Sequence, residues 1–168
     1  MTAHYPQRFG CYAEFDTTDH PEVMVRSGIS YVDMAGASNN LSNEITEPFG
    51  WNFEAVHKHQ SDSWNNILNR VRIYSNDYRE KVRFYTNLYR AFCRNTFSDA
   101  DRRWVDAAGN IQKLDDPDAV ALGCDAFWNT FWNLNQVWNL IAPEWSSRWV
   151  KSQLAMYDAN GWLAKGPS

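Results

Sequence analysis

The spacing of apolar residues changes at Met34, and that switch limits what this chain can fold into. Before it, Arg8–Thr17 and Glu22–Asp33 are rich in aromatic and β-branched residues. Val23 and Val25, then Ile29 and Tyr31, stand two apart, with Ser27-Gly28 between them as a bulge or bend and Asp19-His20-Pro21 as a turn. A period of two predicts strands, so these runs are expected to form two antiparallel strands. Two strands alone are marginal in water. They need a sheet that the rest of this chain does not obviously supply.

After Met34 the period is helical. Ala35–Ile45 predicts a short helix, followed by a loop at Glu47-Pro48-Phe49-Gly50. Val56, Trp64, Ile67, Leu68 and Val71 share one face of a helix over Phe53–Val71. Val82, Tyr85, Leu88, Tyr89 and Phe92 do the same over Asn76–Arg94, with Asp77 in the first turn and Arg90 and Arg94 in the last, each suited to the helix dipole. Arg103–Val105 and Ile111–Lys113 flank a glycine-bearing loop and read as a hairpin. Two helices follow, Asp125–Ile141 and Glu144–Ala159. Pro143 separates them at a helix-starting position, and Asn160-Gly161 is a left-handed helix stop.

Composition narrows the function classes. The chain has 168 residues, 16 Lys and Arg against 20 Asp and Glu, and a net charge of −4. The basic residues are scattered, so there is no nucleic-acid footprint. No apolar run approaches the roughly 18 residues of a membrane span, and Met1–Gly10 carries no signal-peptide pattern. The three cysteines, Cys11, Cys93 and Cys124, form no framework and are expected to be free, buried thiols. The 9 Trp are unusual. They suit either a dense helical core or a stacking surface for flat ligands.

The segment Cys124–Ile141 concentrates that aromatic content. Phe127, Phe131, Leu134, Trp138 and Ile141 form an expected core stripe. A second face carries Asp125, Trp128, Asn129, Trp132 and Gln136. Indoles offer an apolar plane to the C–H face of a sugar, and carboxylates and amides offer partners to its hydroxyls. The competing reading is that the amides face solvent and the indoles pack on a neighbouring helix. Other candidates are weaker. Asp99 and Asp101 form a D-x-D that lacks the rest of a calcium loop, and a turn or helix-starting role suits it better. His57 and His59 point different ways on a helix and make no metal pair. Ser146-Ser147 and Cys93 have no base nearby, and Trp145/Trp149 reads as helix packing.

Taken in order, several stretches resemble glycoside hydrolase family 92, the calcium-dependent exo-acting α-mannosidases. Ile29-Ser30-Tyr31-Val32 with Ala37, Asn40, Leu41 and Glu44 resembles its strand-to-helix passage. Trp51–Val56 with Trp64-Asn65, Phe84–Arg90, Phe97-Ser98-Asp99, Ala126–Thr130, and Leu154–Tyr157 with Gly161-Trp162-Leu163 resemble its later motifs. The resemblance implies a mainly α architecture with a small N-terminal β part. Residues 1–33 would end a β-sandwich, 34–75 would be linker helices, and 76–168 would begin an incomplete (α/α)6 toroid. The chain would then be an internal fragment, and mannose-containing glycans the partner of the parent protein. Catalysis would be inverting, with one carboxylic acid protonating the leaving oxygen and a carboxylate base activating water. Calcium would hold sugar hydroxyls in the full-length protein, and the acid, the base and most of the calcium site would lie beyond Ser168. The family is mostly exported. The resemblance places Asn129 where the family has a mannose-contacting Asp, and Phe131-Trp132 where it has Tyr-Arg. The expected substrate-binding residues are thus Asp125, Trp128, Asn129 and Trp132, with no catalytic or metal-binding residue in this segment. The alternative is a non-catalytic carbohydrate-binding or structural helical domain.

Overall fold

The computed structural model describes residues 10, 12–19, 21–123 and 127–163, with side chains from Thr130 onward in the last stretch. The protein is mainly helical. Helix α1 (Met34–Leu41) continues through a wider π-helical turn (Ser42–Thr46) into the short α2 (Glu47–Phe49). Then come α3 (Phe53–Leu68), α4 (Tyr78–Phe92), the hairpin strands β1 (Arg103–Val105) and β2 (Ile111–Lys113), a 3-10 turn (Phe127–Trp132), α5 (Leu134–Ile141) and α6 (Pro143–Asn160).

Local chemistry sets these boundaries. Asp33, Asn52 and Asp77 each accept a bond from a backbone N–H in the first turn of α1, α3 and α4, satisfying donors a helix start leaves free. Gly161 closes α6 with φ of 80°, a left-handed conformation that favours glycine. In the hairpin, Trp104 pairs with Gln112. Asp106 organises the loop by accepting from Ala108 N, Asn110 N and Gln112 Nε2 at 2.8–2.9 Å.

Two apolar clusters form the core. In the first, Trp104 and Leu114 from the hairpin pack with Ala119, Ala121 and Met156 of α6. In the second, Leu88 and Phe92 of α4 meet Trp138 of α5 and Ala142, with Trp64, Ile67 and Leu68 of α3 against them. Trp149 touches both clusters and Trp145 the second, which is the packing role expected for that pair. Trp138 is fully buried, and its indole N–H donates to Ala91 O at 3.0 Å. That oxygen is one of the carbonyls the end of α4 leaves without a helical partner.

Several expectations are corrected. The described residues of 12–33 form no strand; the segment is an extended arm with Val25, Ile29 and Tyr31 exposed. Among the described residues no strand pairs with it, and a strand's pattern without a partner does not make a sheet. The sheet in the described residues is the hairpin. Pro48 falls inside helical residues, so the expected loop shrinks to the turn at Gly50, with φ of 57°. The single helix Asp125–Ile141 is instead a 3-10 turn and α5, broken at Asn133. Cys93, expected to be buried, is exposed, with Sγ 3.6 Å from the Tyr89 hydroxyl. Cys11 and Cys124 lie outside the described residues.

Candidate functional site

Of the four expected substrate-binding residues, Asp125 lies outside the described residues. Trp128 and Asn129 fall in the 3-10 turn, with side chains outside the description. Trp132 ends that turn and is 67% exposed. The helical register that grouped these residues is lost, because a 3-10 turn advances about 120° per residue rather than 100°. Phe131, expected in the core, is exposed instead, edge-on to Trp132 with centroids 5.8 Å apart. Gln136, expected on the polar face, turns back and donates to Phe131 O at 2.6 Å. It therefore fastens the 3-10 turn to α5. What the described residues offer here is a pair of exposed rings on a short, tied turn.

The best-built polar group lies elsewhere. Asp99 is buried, 5% exposed, at the entry to the hairpin. One carboxylate oxygen accepts from Ser30 Oγ at 2.8 Å and the other from Asn40 Nδ2 at 2.9 Å. Asn40 returns the connection by accepting from Ala100 N at 2.7 Å and donates also to Ile29 O at 2.8 Å. The D-x-D is thus a turn device, as its chemistry suggested, and the motif residues Ser30, Asn40 and Asp99 converge at one point. Their spacing in sequence carried no sign of that meeting.

Arg103 adds charge to this group. Its guanidinium bonds Asp101 at 2.6 Å and Asp33 at 2.9 Å, and lies 3.9 Å from Asp99. Arg102, with φ of 71°, takes the left-handed conformation that turns the chain back into β1. The Arg103 bond, and then the Gly36 N–H, hold the Asp33 carboxyl below its usual range. Burial works to raise Asp101, but the Arg103 side chain and backbone N–H outweigh it and leave it lowered. The same partners push Arg103 upward.

A cleft of about 510 Å³ opens beside this group, between Ser27–Tyr31, Asn40 and Glu44 on one wall and Asn95–Asp99 on the other. A second groove of about 440 Å³, more apolar, runs between Val23–Ser27 and Trp51–Val56. Arg26 bridges it, stacked 3.7 Å over the Trp51 ring and bonded to Gly50 O. His57 and His59 are exposed and lie against Phe53 and Phe49, not against each other. Among the described residues no three or more His, Cys, Asp or Glu gather into a metal site, and no helix is long and apolar enough to cross a membrane.

The family model described as the glycosyl hydrolase family 92 catalytic domain matches residues 36–168, and this chain belongs to that family. Among solved structures, it is similar to the family GH92 α-mannosidase BT3965 from Bacteroides thetaiotaomicron, at 25% identity and a TM-score of 0.68 over 77% of this chain. The same protein in complex with mannoimidazole matches at 27% identity and a TM-score of 0.66, again over 77% of this chain. The GH92 family glycosyl hydrolase ccman5 shares the fold at 21% identity and a TM-score of 0.63, over 79% of this chain. The chain spans 16%, 16% and 18% of the lengths of these three. No curated protein matches.

Proposed function

We propose that this chain is part of a glycoside hydrolase that removes terminal α-linked mannose, and that it contributes sugar-binding surface rather than the catalytic pair. The match of residues 36–168 to the family 92 catalytic domain carries this reading. The solved relative bound to mannoimidazole supports mannose as the sugar class. The inverting mechanism follows from the family: an acid for the leaving oxygen and a base for the water, both supplied by polypeptide outside this segment. In the family, calcium would take sugar hydroxyl oxygens among its ligands and so hold the sugar in place. The described residues do not fit such a site, since no three suitable side chains gather. The part left to this segment is to bind and orient. Exposed Trp132 and Phe131 offer apolar planes for a sugar's C–H face, beside Trp128, Asn129 and Asp125 in sequence. Asn129 gives amide donors and acceptors without a carboxylate's charge. The domain division at 33 and 75, the preceding sandwich and the toroid belong to the same reading, as does export of the parent protein.

The test is direct. Mannoimidazole titrated into the 168-residue chain should change its Trp fluorescence, and Trp132→Ala should remove the change. An aryl α-mannoside should not be hydrolysed, with or without calcium. Hydrolysis that is lost in Asp125→Ala would overturn the division of roles. An unchanged spectrum at saturating sugar would favour a purely structural segment.

A further inference from the structure

The polar seam at Asp99 joins two parts of the chain that share little apolar contact. Neither core cluster contains a residue from 34–49. The buried residues of α1 are Gly36 and Asn40, neither of which brings apolar side-chain area. What holds α1 to the hairpin entry is a row of directed bonds: Ser30 to Asp99, Asn40 to Asp99, Ala100 N to Asn40, and Arg103 to Asp33. Gly36 is the reason the approach can be so close. A Cβ there would stand 2.2 Å from Asp99 Oδ2 and 2.7 Å from Ser30 Oγ. Gly28 allows an equally close approach of the arm, since a Cβ there would stand 2.2 Å from Ala37 O. The arm and α1 are thus pressed together as one piece, and that piece meets the hairpin through charge and hydrogen bonds.

Such an arrangement opens differently from a packed core. Apolar clusters resist local opening, whereas a seam of polar bonds can part into water, where each group finds a new partner. The cleft of about 510 Å³ lies along the same seam, with the arm and α1 as one wall and Asn95–Asp99 as the other.

We infer that Asp99 and Arg103 form a latch, and that the arm and α1 swing off the hairpin body as one unit when the latch is broken, widening the cleft beside it. Asp99 is the keystone, since among the described residues its carboxylate bonds both Ser30 and Asn40. Arg103 is the second fastening, through Asp33.

Hydrogen exchange read by mass spectrometry on the full 168-residue chain tests this. Asp99→Asn keeps the shape but turns one acceptor into a donor facing donors. It should speed exchange across residues 34–41 on the order of tenfold, the effect of losing bonds to a charged group, while 84–92 and 152–156 keep their rates. Arg103→Gln should act in the same direction and more weakly. Wild-type chain in low denaturant should open 34–41 before 84–92. Unchanged exchange at 34–41 in both variants, or opening of 34–41 together with the two core segments, would overturn the latch. If Asp99→Asn fails to fold, the wild-type denaturant series alone decides between these outcomes.

Discussion

Asn40 and Asp99, 59 positions apart in sequence, are joined by a buried 2.9 Å bond from Nδ2 to Oδ1. The same Asn40 accepts from Ala100 N and donates to Ile29 O, so one amide serves three partners. Asn40→Ala removes all three bonds. It leaves Ala100 N and one Asp99 oxygen without a partner, at a cost of about 1–3 kcal/mol. Asn40→Asp places a second carboxylate against Asp99 and should be worse. Thermal unfolding followed by circular dichroism checks both, with the order wild type, then Ala, then Asp.

Trp138 offers a second test, in the apolar core. The residue is 1% exposed and its indole N–H closes a terminal carbonyl of α4. Trp138→Phe keeps much of the volume but leaves Ala91 O unpaired, costing about 1–3 kcal/mol. Trp138→Ala also opens a large cavity between α4 and α5, for about 3–5 kcal/mol. Urea midpoints should fall in that order, with near-ultraviolet circular dichroism lost in the Ala variant.

These two residues mark what was legible in the sequence. Trp138 was readable because its partners in α5 lie at helical spacing, and the cores of α3 and α4 were readable for the same reason. The hairpin was readable because Asp106 to Asn110 carry their own turn chemistry. Asn40 and Asp99 were visible as motif residues, but their meeting depends on how α1 docks, and no local period encodes that. The arm failed differently. Val25, Ile29 and Tyr31 have a strand's alternation, but a strand is defined by a neighbour, and the described chain holds none. The 3-10 turn at Phe127–Trp132 was missed because the bond from Gln136 to Phe131 O that fastens it to α5 is not encoded in the helical period.

The carboxylates give an acid prediction with a definite sign. Asp33 and Asp101 are lowered by Arg103, Asp106 by Gln112 and then Asn110, and Asp116 by Lys151. A carboxyl held below its unfolded value, about 3.9, adds stability above that pH and loses it as pH falls through the lower folded value. The melting temperature should therefore be flat above about pH 5 and fall below about pH 4. In Arg103→Gln, two of the four carboxyls lose their main partner, so the fall should be shallower. An equally steep fall in that variant would assign the acid sensitivity to carboxyls that Arg103 does not hold, such as Asp106, Asp116 and Glu144.

Exposed apolar surface sets the last expectation. Tyr12, Val25, Ile29, Tyr31 and Met34 on the arm and its junction with α1 are all more than half exposed, as are Trp51 and Phe53 across the apolar groove. Exposed apolar surface of this extent drives association or dye binding in water. The two core clusters are also small and meet mainly at Trp149. The isolated chain should bind an anilinonaphthalene dye strongly, sediment as larger species with rising concentration, and unfold over a broad temperature range. Val25→Lys with Ile29→Lys leaves the bonds from Ser30 and Asn40 to Asp99 in place, since neither side chain takes part in them. The double variant should bind less dye and sediment closer to the monomer without a lower melting temperature. A sharp, cooperative transition of a wild-type monomer that binds no dye would show that the arm finds cover within this chain.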